Sequence, residues 1–559
     1  MSIEKVFTEV DLNGNADTRQ ELASTLVIDP SRVSDLDLDI DEKQLRANGH
    51  VGELPRRFGF LSLLGLGFNI TNSWIGLTAS ITINLTDGGR PAVVWGCVIS
   101  FFVSGLITLG LAELASAYPS AGGQYHITFM VASPNTRAFA AYIVGWMALV
   151  GWWITHASGC IFIALNIVTF AAFYHPSYEP ARWHVWMLYT AAHVICVAIN
   201  LAVPKLLPAF NKFALYLTVT AFVASIITVG VTGSSTKVSA SAVFTDFVNA
   251  SGWSSTGLAF MIATANSMYT FLAVDAATHI AEEVPRPSLN VPKAMVGTII
   301  IGGITAIPFA VVLMLCMTDL ESALRTSTGL PSYEIYMQAL KNSTGATILQ
   351  AVITLLYINA VISLVTTWSR LSYALSRDNA LPFSNVFARI HKGTSQPLNS
   401  IILGTVLVLI YGLLYVASSV AFNSIIGSSI MFLNITYVIP QAIVAYRGRE
   451  KVLPPRPFRL PRYIGYFTNW FSTLWVIFIS VLFCLPSTMP VVGKPASMNY
   501  TSVVFVGVLV FVLLFWAFDK RKKFVGPDVK ESLLREANLA EMELMRSRDM
   551  SKLQNQGYS

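Results

Sequence analysis

The chain is 559 residues long, 54% hydrophobic and only 12% charged, with a formal net charge of +6. Its apolar residues come in blocks longer than the roughly 18 needed to cross a bilayer, which excludes a soluble globular protein and makes the lipid bilayer its surroundings. The basic residues cluster between those blocks, where membrane topology accounts for them, so no nucleic-acid partner is implied.

In chain order, residues 1–55 are polar and acidic (Asp35, Asp37, Asp39, Asp41, Glu42) and lack the apolar core of a signal peptide. They read as a disordered cytosolic tail, and the first true span then serves as the signal. Twelve spans follow, near 58–82, 91–117, 138–170, 184–203, 209–233, 254–280, 294–318, 343–376, 398–417, 420–446, 466–486 and 500–518. They form one domain over 56–520. The rest, 521–559, reads as a second cytosolic tail, with helical composition and mixed, solvated charge. Cys97, Cys160, Cys196, Cys316 and Cys484 all fall in apolar blocks without CxxC spacing, so neither a disulfide framework nor a metal site is indicated.

An N-terminus on the inside places Arg56, Arg57, Lys205, Lys212, Arg377, Arg389, Lys392, the run Arg447 to Arg462 and Lys520 to Lys523 in the cytosol. Sequons in the polar loops, at Asn84, Asn249, Asn342 and Asn499, then all fall outside as N-glycosylation candidates. Two more, at Asn69 and Asn434, lie within spans.

The chemistry concentrates in spans one and six. Span one gathers Gly65, Gly67, Asn69, Thr71, Asn72, Ser73 and Gly76 at mid-membrane, and span six carries Asp275 in an apolar run. An ionised carboxylate at mid-bilayer costs roughly 2.5 to 3.5 kcal/mol on insertion scales and commonly marks a path for solute or ions. Small polar residues satisfy backbone that leaves the helix. The pair therefore resembles the two discontinuous helices of an inverted-repeat transporter, although the glycines equally suit close helix packing.

Three longer motifs carry a family resemblance. Glu113-Leu-Ala-Ser-Ala-Tyr-Pro119-Ser-Ala-Gly122-Gly123-Gln-Tyr125 resembles the signature after the second helix of the amino acid/polyamine/organocation (APC) superfamily. Asp275 to Pro292 is similar to that superfamily's sixth-helix exit, and Ser369 to Pro382 to its eighth. The segments Thr71-Asn72-Ser73-Trp74, Ala277-Thr278-His279, Arg377-Asp378-Asn379 and Gly412 to Phe422 look most like the fungal amino acid/choline branch, choline and gamma-aminobutyrate permeases in particular.

The resemblance implies an all-α membrane protein of two inverted five-helix repeats, with helices one and six broken, plus two extra helices. It implies a secondary active transporter without cofactor, not an enzyme, that imports choline or a related small amine by alternating access at the plasma membrane, driven by membrane potential and a coupling proton. The alternatives are an amino acid permease, for example for gamma-aminobutyrate, and a nutrient sensor that does not transport. Amino-acid members commonly have Gly-x-Gly in helix one; here that place is Asn69-Ile70-Thr71, where a carboxylate finds less bare backbone. The expected substrate site is Asn69, Ile70, Thr71, Asn72, Trp74, Tyr269, Phe271 and Asp275, with Phe68, Trp152 and Trp153 as further rings of an aromatic cage. Glu282 and Glu283 would close an inner gate against Arg370 or Arg56, and His156 and His193 would either relay protons or serve as hydrogen-bonded packing. The fifth-helix lysine that couples protons in some relatives has no counterpart between Lys212 and Lys237.

Overall fold

The computed structural model describes residues 40–50, 52–326, 330–491, 499–527 and 529–556; the expected disorder of residues 1–39 lies outside the described residues. Among the described residues the regular structure is helical, apart from an isolated bridge between His391 and Gln396. Ten of their helices are long and apolar enough to cross a bilayer, against twelve expected spans. The difference has two sources, and both concern broken helices.

The first is a run of 58 residues, Phe60–Ala117. At 1.5 Å per residue a straight helix of that length would be about 87 Å long, nearly three times the roughly 30 Å hydrocarbon core. It breaks twice. Helix α1 (Phe60–Thr71) ends at Asn72, whose φ of 29° and ψ of 63° interrupt the ladder before α2 (Ser73–Ala117) begins. Within α2 the helical backbone is broken at Gly89, at φ 68° and ψ −153°, a conformation closed to side chains with a Cβ.

The second is the expected sixth span. Helix α7 (Thr256–Ser267) runs into a 3-10 turn, Met268–Phe271, then Leu272 is extended and Ala273 has a φ of 70°. Regular structure resumes only with the short 3-10 helix Thr278–Glu283. The two breaks touch, because a Cβ on Gly76 would stand 3.3 Å from the Thr270 Cα. Gly65, by contrast, lets α1 press on α6 (Leu207–Thr232), where a Cβ would meet the Asn211 carbonyl oxygen at 2.4 Å. It is a packing glycine.

Around this centre stand α4 (Arg137–Tyr174), α5 (Arg182–Ala202), α8 (Pro287–Cys316), α10 (Ser343–Arg377) and α12 (Ser419–Arg447), after the short α3 (Gln124–Val131) and α9 (Pro331–Leu340) in their places along the chain. Helices α11 (Leu398–Ala417), α13 (Arg462–Leu482) and α14 (Thr501–Phe515) lie to the outside. Val503, Val506, Val510 and Leu514 of α14, like Phe213, Ile227 and Val231 of α6, are exposed apolar side chains, as lipid-facing surface requires.

One end of the bundle, termed the inner face, is covered by both chain ends. A helical segment over 40–47 and helix α15 (Glu531–Gln556) dock there. Gln44 donates to Asn538 (3.0 Å) and Glu541 (2.8 Å), and the hydroxyl of Ser288, beside the gate loop, donates to Glu541 as well. Asn48 donates to the Pro119 carbonyl, and Asp41 receives Arg56 and the Arg286 amide. The described parts of both tails thus touch the bundle, while residues such as Arg535, Glu536 and Glu543 of α15 are exposed.

Candidate functional site

A cavity with about 480 Å³ of empty space opens at the meeting of the two breaks. Ile70, Thr71, Asn72 and Gly76 line it from the first break and Tyr269, Leu272 and Ala273 from the second. Thr155 and Gly159 of α4, with Leu356, Tyr357, Ala360 and Leu364 of α10, close it. No Asp, Glu, Lys or Arg is in this lining.

Its field comes from backbone and rings instead. Helices α1 and α7 both end here, and a helix C-terminus carries about half a negative charge on carbonyls without intrahelical partners. The N-terminus of α2 lies at the same break, where the Ile75 and Gly76 amides donate to the Asn72 carbonyl at 2.9 Å. Tyr269 and Tyr357 line the cavity and are backed by Phe162, edge-on to the first at 6.1 Å and tilted against the second at 5.4 Å between centroids. Their hydroxyls are fixed, Tyr269 against Ser158 at 2.8 Å and Tyr357 on the Ile75 carbonyl at 3.3 Å. The Thr71 hydroxyl is buried with no protein partner. Such a cavity suits a small cation with apolar substituents and offers an anion little.

Of the residues expected at the site, Ile70, Thr71, Asn72 and Tyr269 line it, and four do not. Asn69 is turned to α6, its amide on the Asn211 carbonyl (3.1 Å). Trp74 is fully buried on another side of its helix, donating to Thr218 (3.3 Å) and packed edge-on against Phe309. Phe271 packs on Phe101, with ring centroids 5.8 Å apart. Phe68 lies in a separate buried cluster with Leu64 and Leu215, and Trp153 is outside the lining too.

The fourth is Asp275. Its carboxylate is wholly buried and surrounded by partners: Oδ2 lies 2.6 Å from Gln124 Nε2, 3.2 Å from the Trp152 indole nitrogen and 3.0 Å from His279 Nε2, and Oδ1 is 2.5 Å from the Tyr437 hydroxyl. Those partners come from α3, α4 and α12, so Asp275 ties the unwound segment to the surrounding helices. Trp152, expected in the cage, belongs to this network. An acid in an apolar run marks a special position; it does not tell which group the acid faces.

Two buried ion pairs lie toward the inner face. Arg370 Nε donates to Glu283 at 2.8 Å, as expected, and Glu282 takes both ends of the Arg377 guanidinium, at 2.8 and 3.0 Å. Arg377 was not among the residues expected to pair here, although it stands inside the motif from Ser369 to Pro382. Burial pushes the Glu282 carboxyl up, but the Arg377 charge and its two bonds, with His50 and the Ala121 amide, outweigh it and hold the group at about 2. Arg56 pairs with Asp41 instead. Glu113 is buried between Arg449 (2.5 Å) and Arg456 (2.6 Å).

His156, Cys160 and His193 bring three potential metal-ligand atoms within 4.8 Å of one another. The hydrogen bonds argue against a metal there. The Trp368 indole N–H donates to His156 Nδ1 (3.3 Å), so the neutral ring carries its hydrogen on Nε2 and directs it to His193 Nδ1 (2.8 Å). A metal on His156 Nε2 would move that hydrogen to Nδ1, against the indole donor. Through these bonds the pair joins α4, α5 and α10.

Among the sequons, Asn84 is fully buried inside α2 and donates to Ser267 (2.8 Å). Asn342 is exposed and caps α10 through its side-chain oxygen, while Asn249 and Asn499 are half-buried and donate to nearby carbonyls.

Comparison with known proteins places this geometry in context. Residues 58–511 match the family model described as amino acid permease. The chain is 34% identical to the choline transporter of Saccharomyces cerevisiae, over 88% of its own length and 87% of the relative's. It is 30% identical to the swainsonine transporter swnT of Arthroderma benhamiae (84% and 92%) and 28% identical to the 7-keto 8-aminopelargonic acid transporter of Saccharomyces cerevisiae (82% and 91%).

Proposed function

The chain belongs to the amino acid permease family of membrane transporters, and from that premise we propose that it imports choline or a related small amine by alternating access. The supporting observation is the cavity where the two broken helices meet, free of charged side chains, walled by Tyr269 and Tyr357 and faced by two helix C-termini. Each ring face is worth about 0.5 to 2 kcal/mol to a quaternary ammonium. An α-amino acid would bring a carboxylate to a lining that has neither a cationic side chain nor a Gly-x-Gly backbone. The likeness to a choline transporter points the same way.

In this reading Gly89 separates two crossings and the broken helix six makes one more, which restores twelve, with α1/α2 and helix six as the corresponding interrupted members of two inverted repeats. The inner face is the cytosolic one, the membrane is the plasma membrane, and the state described is closed to the cytosol by Glu282–Arg377 and Glu283–Arg370. Each charge moved through 100 mV gains about 2.3 kcal/mol, roughly 50-fold accumulation of a monovalent cation.

The test is labelled uptake by cells expressing the chain, with a panel of amines and amino acids. Saturable choline uptake that other quaternary amines inhibit and amino acids do not is the expected result. Inhibition by gamma-aminobutyrate or other amino acids, with choline without effect, would make it an amino acid permease, and binding without accumulation would make it a sensor.

A further inference from the structure

The imidazole of His279 is held between two oxygens. Its Nδ1 lies 3.1 Å from the Ala121 carbonyl oxygen and its Nε2 3.0 Å from Asp275 Oδ2. A carbonyl oxygen can only accept, so Nδ1 carries a hydrogen. A neutral imidazole has no second N–H, and its Nε2 would then aim a lone pair at an ionised carboxylate oxygen, which also only accepts. Two acceptors at 3.0 Å repel in a buried site. One additional hydrogen therefore lies between Nε2 and Oδ2, either as imidazolium facing carboxylate or as carboxylic acid facing neutral imidazole.

The remaining neighbours do not supply it. Gln124 from α3 and Trp152 from α4 are non-titrating N–H donors, and Tyr437 from α12 donates its hydroxyl to Oδ1. The nearest acid on the same segment, Glu282, is committed to Arg377. No Lys or Arg side chain bonds to the pair among the described residues.

We infer that Asp275 and His279 jointly bind the proton that crosses the membrane with the substrate; this rests on the transport reading above. Asp275 stands two residues beyond Ala273, which lines the cavity, so the pair adjoins the substrate. Release is built into the gate. The Ala121 carbonyl grips His279 while the Ala121 amide donates to Glu282 at 3.3 Å. When the inner face opens and Glu282 leaves this loop, Nδ1 loses its acceptor and the pair meets inner water. The proton taken up from the outer side departs inward, one for each substrate cation.

The experiment uses the full-length protein in liposomes with the membrane potential clamped at zero, labelled choline as probe, and the outside one pH unit more acid. One-to-one coupling accumulates choline about tenfold, since one pH unit corresponds to 1.36 kcal/mol. His279→Gln should bring that ratio to about one while choline–choline exchange continues. A His279→Gln protein that still accumulates choline under the pH gradient, or a wild type that ignores the gradient, overturns the inference. Nitrogen-15 NMR of His279 decides it without transport: a hydrogen on Nδ1 is expected, and a bare Nδ1 beside an ionised Asp275 would sink it. If the wild type moves no choline even in exchange, the substrate reading fails instead, and the NMR result still stands or falls alone.

Discussion

Glu282→Gln tests the inner seal most directly. The carboxyl's ordinary value is 4.5 and the site holds it at about 2, because Arg377 and its two bonds more than offset burial. At 1.36 kcal/mol per unit, the difference is worth about 3 kcal/mol to the closed inner face, an upper bound of roughly 300-fold in the open-to-closed ratio. A reporter cysteine at Ala281, buried beside the pair, in a background with the native cysteines replaced, would be labelled by an impermeant maleimide from the inner face. Labelling should quicken by ten- to a few hundred-fold in Glu282→Gln, and a charge exchange, Glu282→Arg with Arg377→Glu, should recover part of it. The depressed value sets the pH window. The contribution is complete above 4.5 and fades as pH falls toward 2, so between pH 6 and 8 this pair adds no pH dependence to labelling. Equal labelling rates in wild type and Glu282→Gln would refute the claim that the pair holds the face shut.

Other predictions concern separate features. Replacing Tyr269 or Tyr357 by Leu removes a ring face and should raise the KM for choline about 2- to 30-fold, while Phe, which keeps the face, costs less; uptake kinetics check both. Glu113→Ala leaves the guanidiniums of Arg449 and Arg456 buried without their acid, a loss of about 3 to 5 kcal/mol, and should sharply lower the yield of monodisperse protein in detergent. Burial pushes the Asp378 carboxyl from 3.8 up to about 6 in spite of nearby Arg377. A raised value stabilises below 3.8 and loses that contribution as pH rises through 6, so the melting temperature of wild type should fall more steeply over this interval than that of Asp378→Asn.

Much of the membrane architecture was legible because apolar block length is a one-dimensional property. The breaks were legible as well: Asn72 and the stretch around Ala273 fall among the small and carboxamide residues that mark irregular backbone. Side-chain direction was not. Around a break, a shift of one residue decides whether a group meets the cavity or a neighbouring helix, and so Thr71 lines the site while Asn69, two residues before it, holds α6. Tyr357 and Tyr437 sit in ordinary apolar spans and carry no local signal; contact with distant helices alone gives them a role. Gln124 and Arg377 stood inside quoted motifs, and their partners, Asp275 and Glu282, lie about 100 or more positions away in the chain.

The meeting of residues 40–50 with α15 bears on how the protein is made. Gln44 is among the first described residues to leave the ribosome, and its partners Asn538 and Glu541 are among the last. During synthesis every bilayer crossing can be in place while the early segment still lacks its anchor. The early segment therefore has no anchor until α15 has been made, and a chain truncated before α15 leaves Gln44 without its acceptors Asn538 and Glu541.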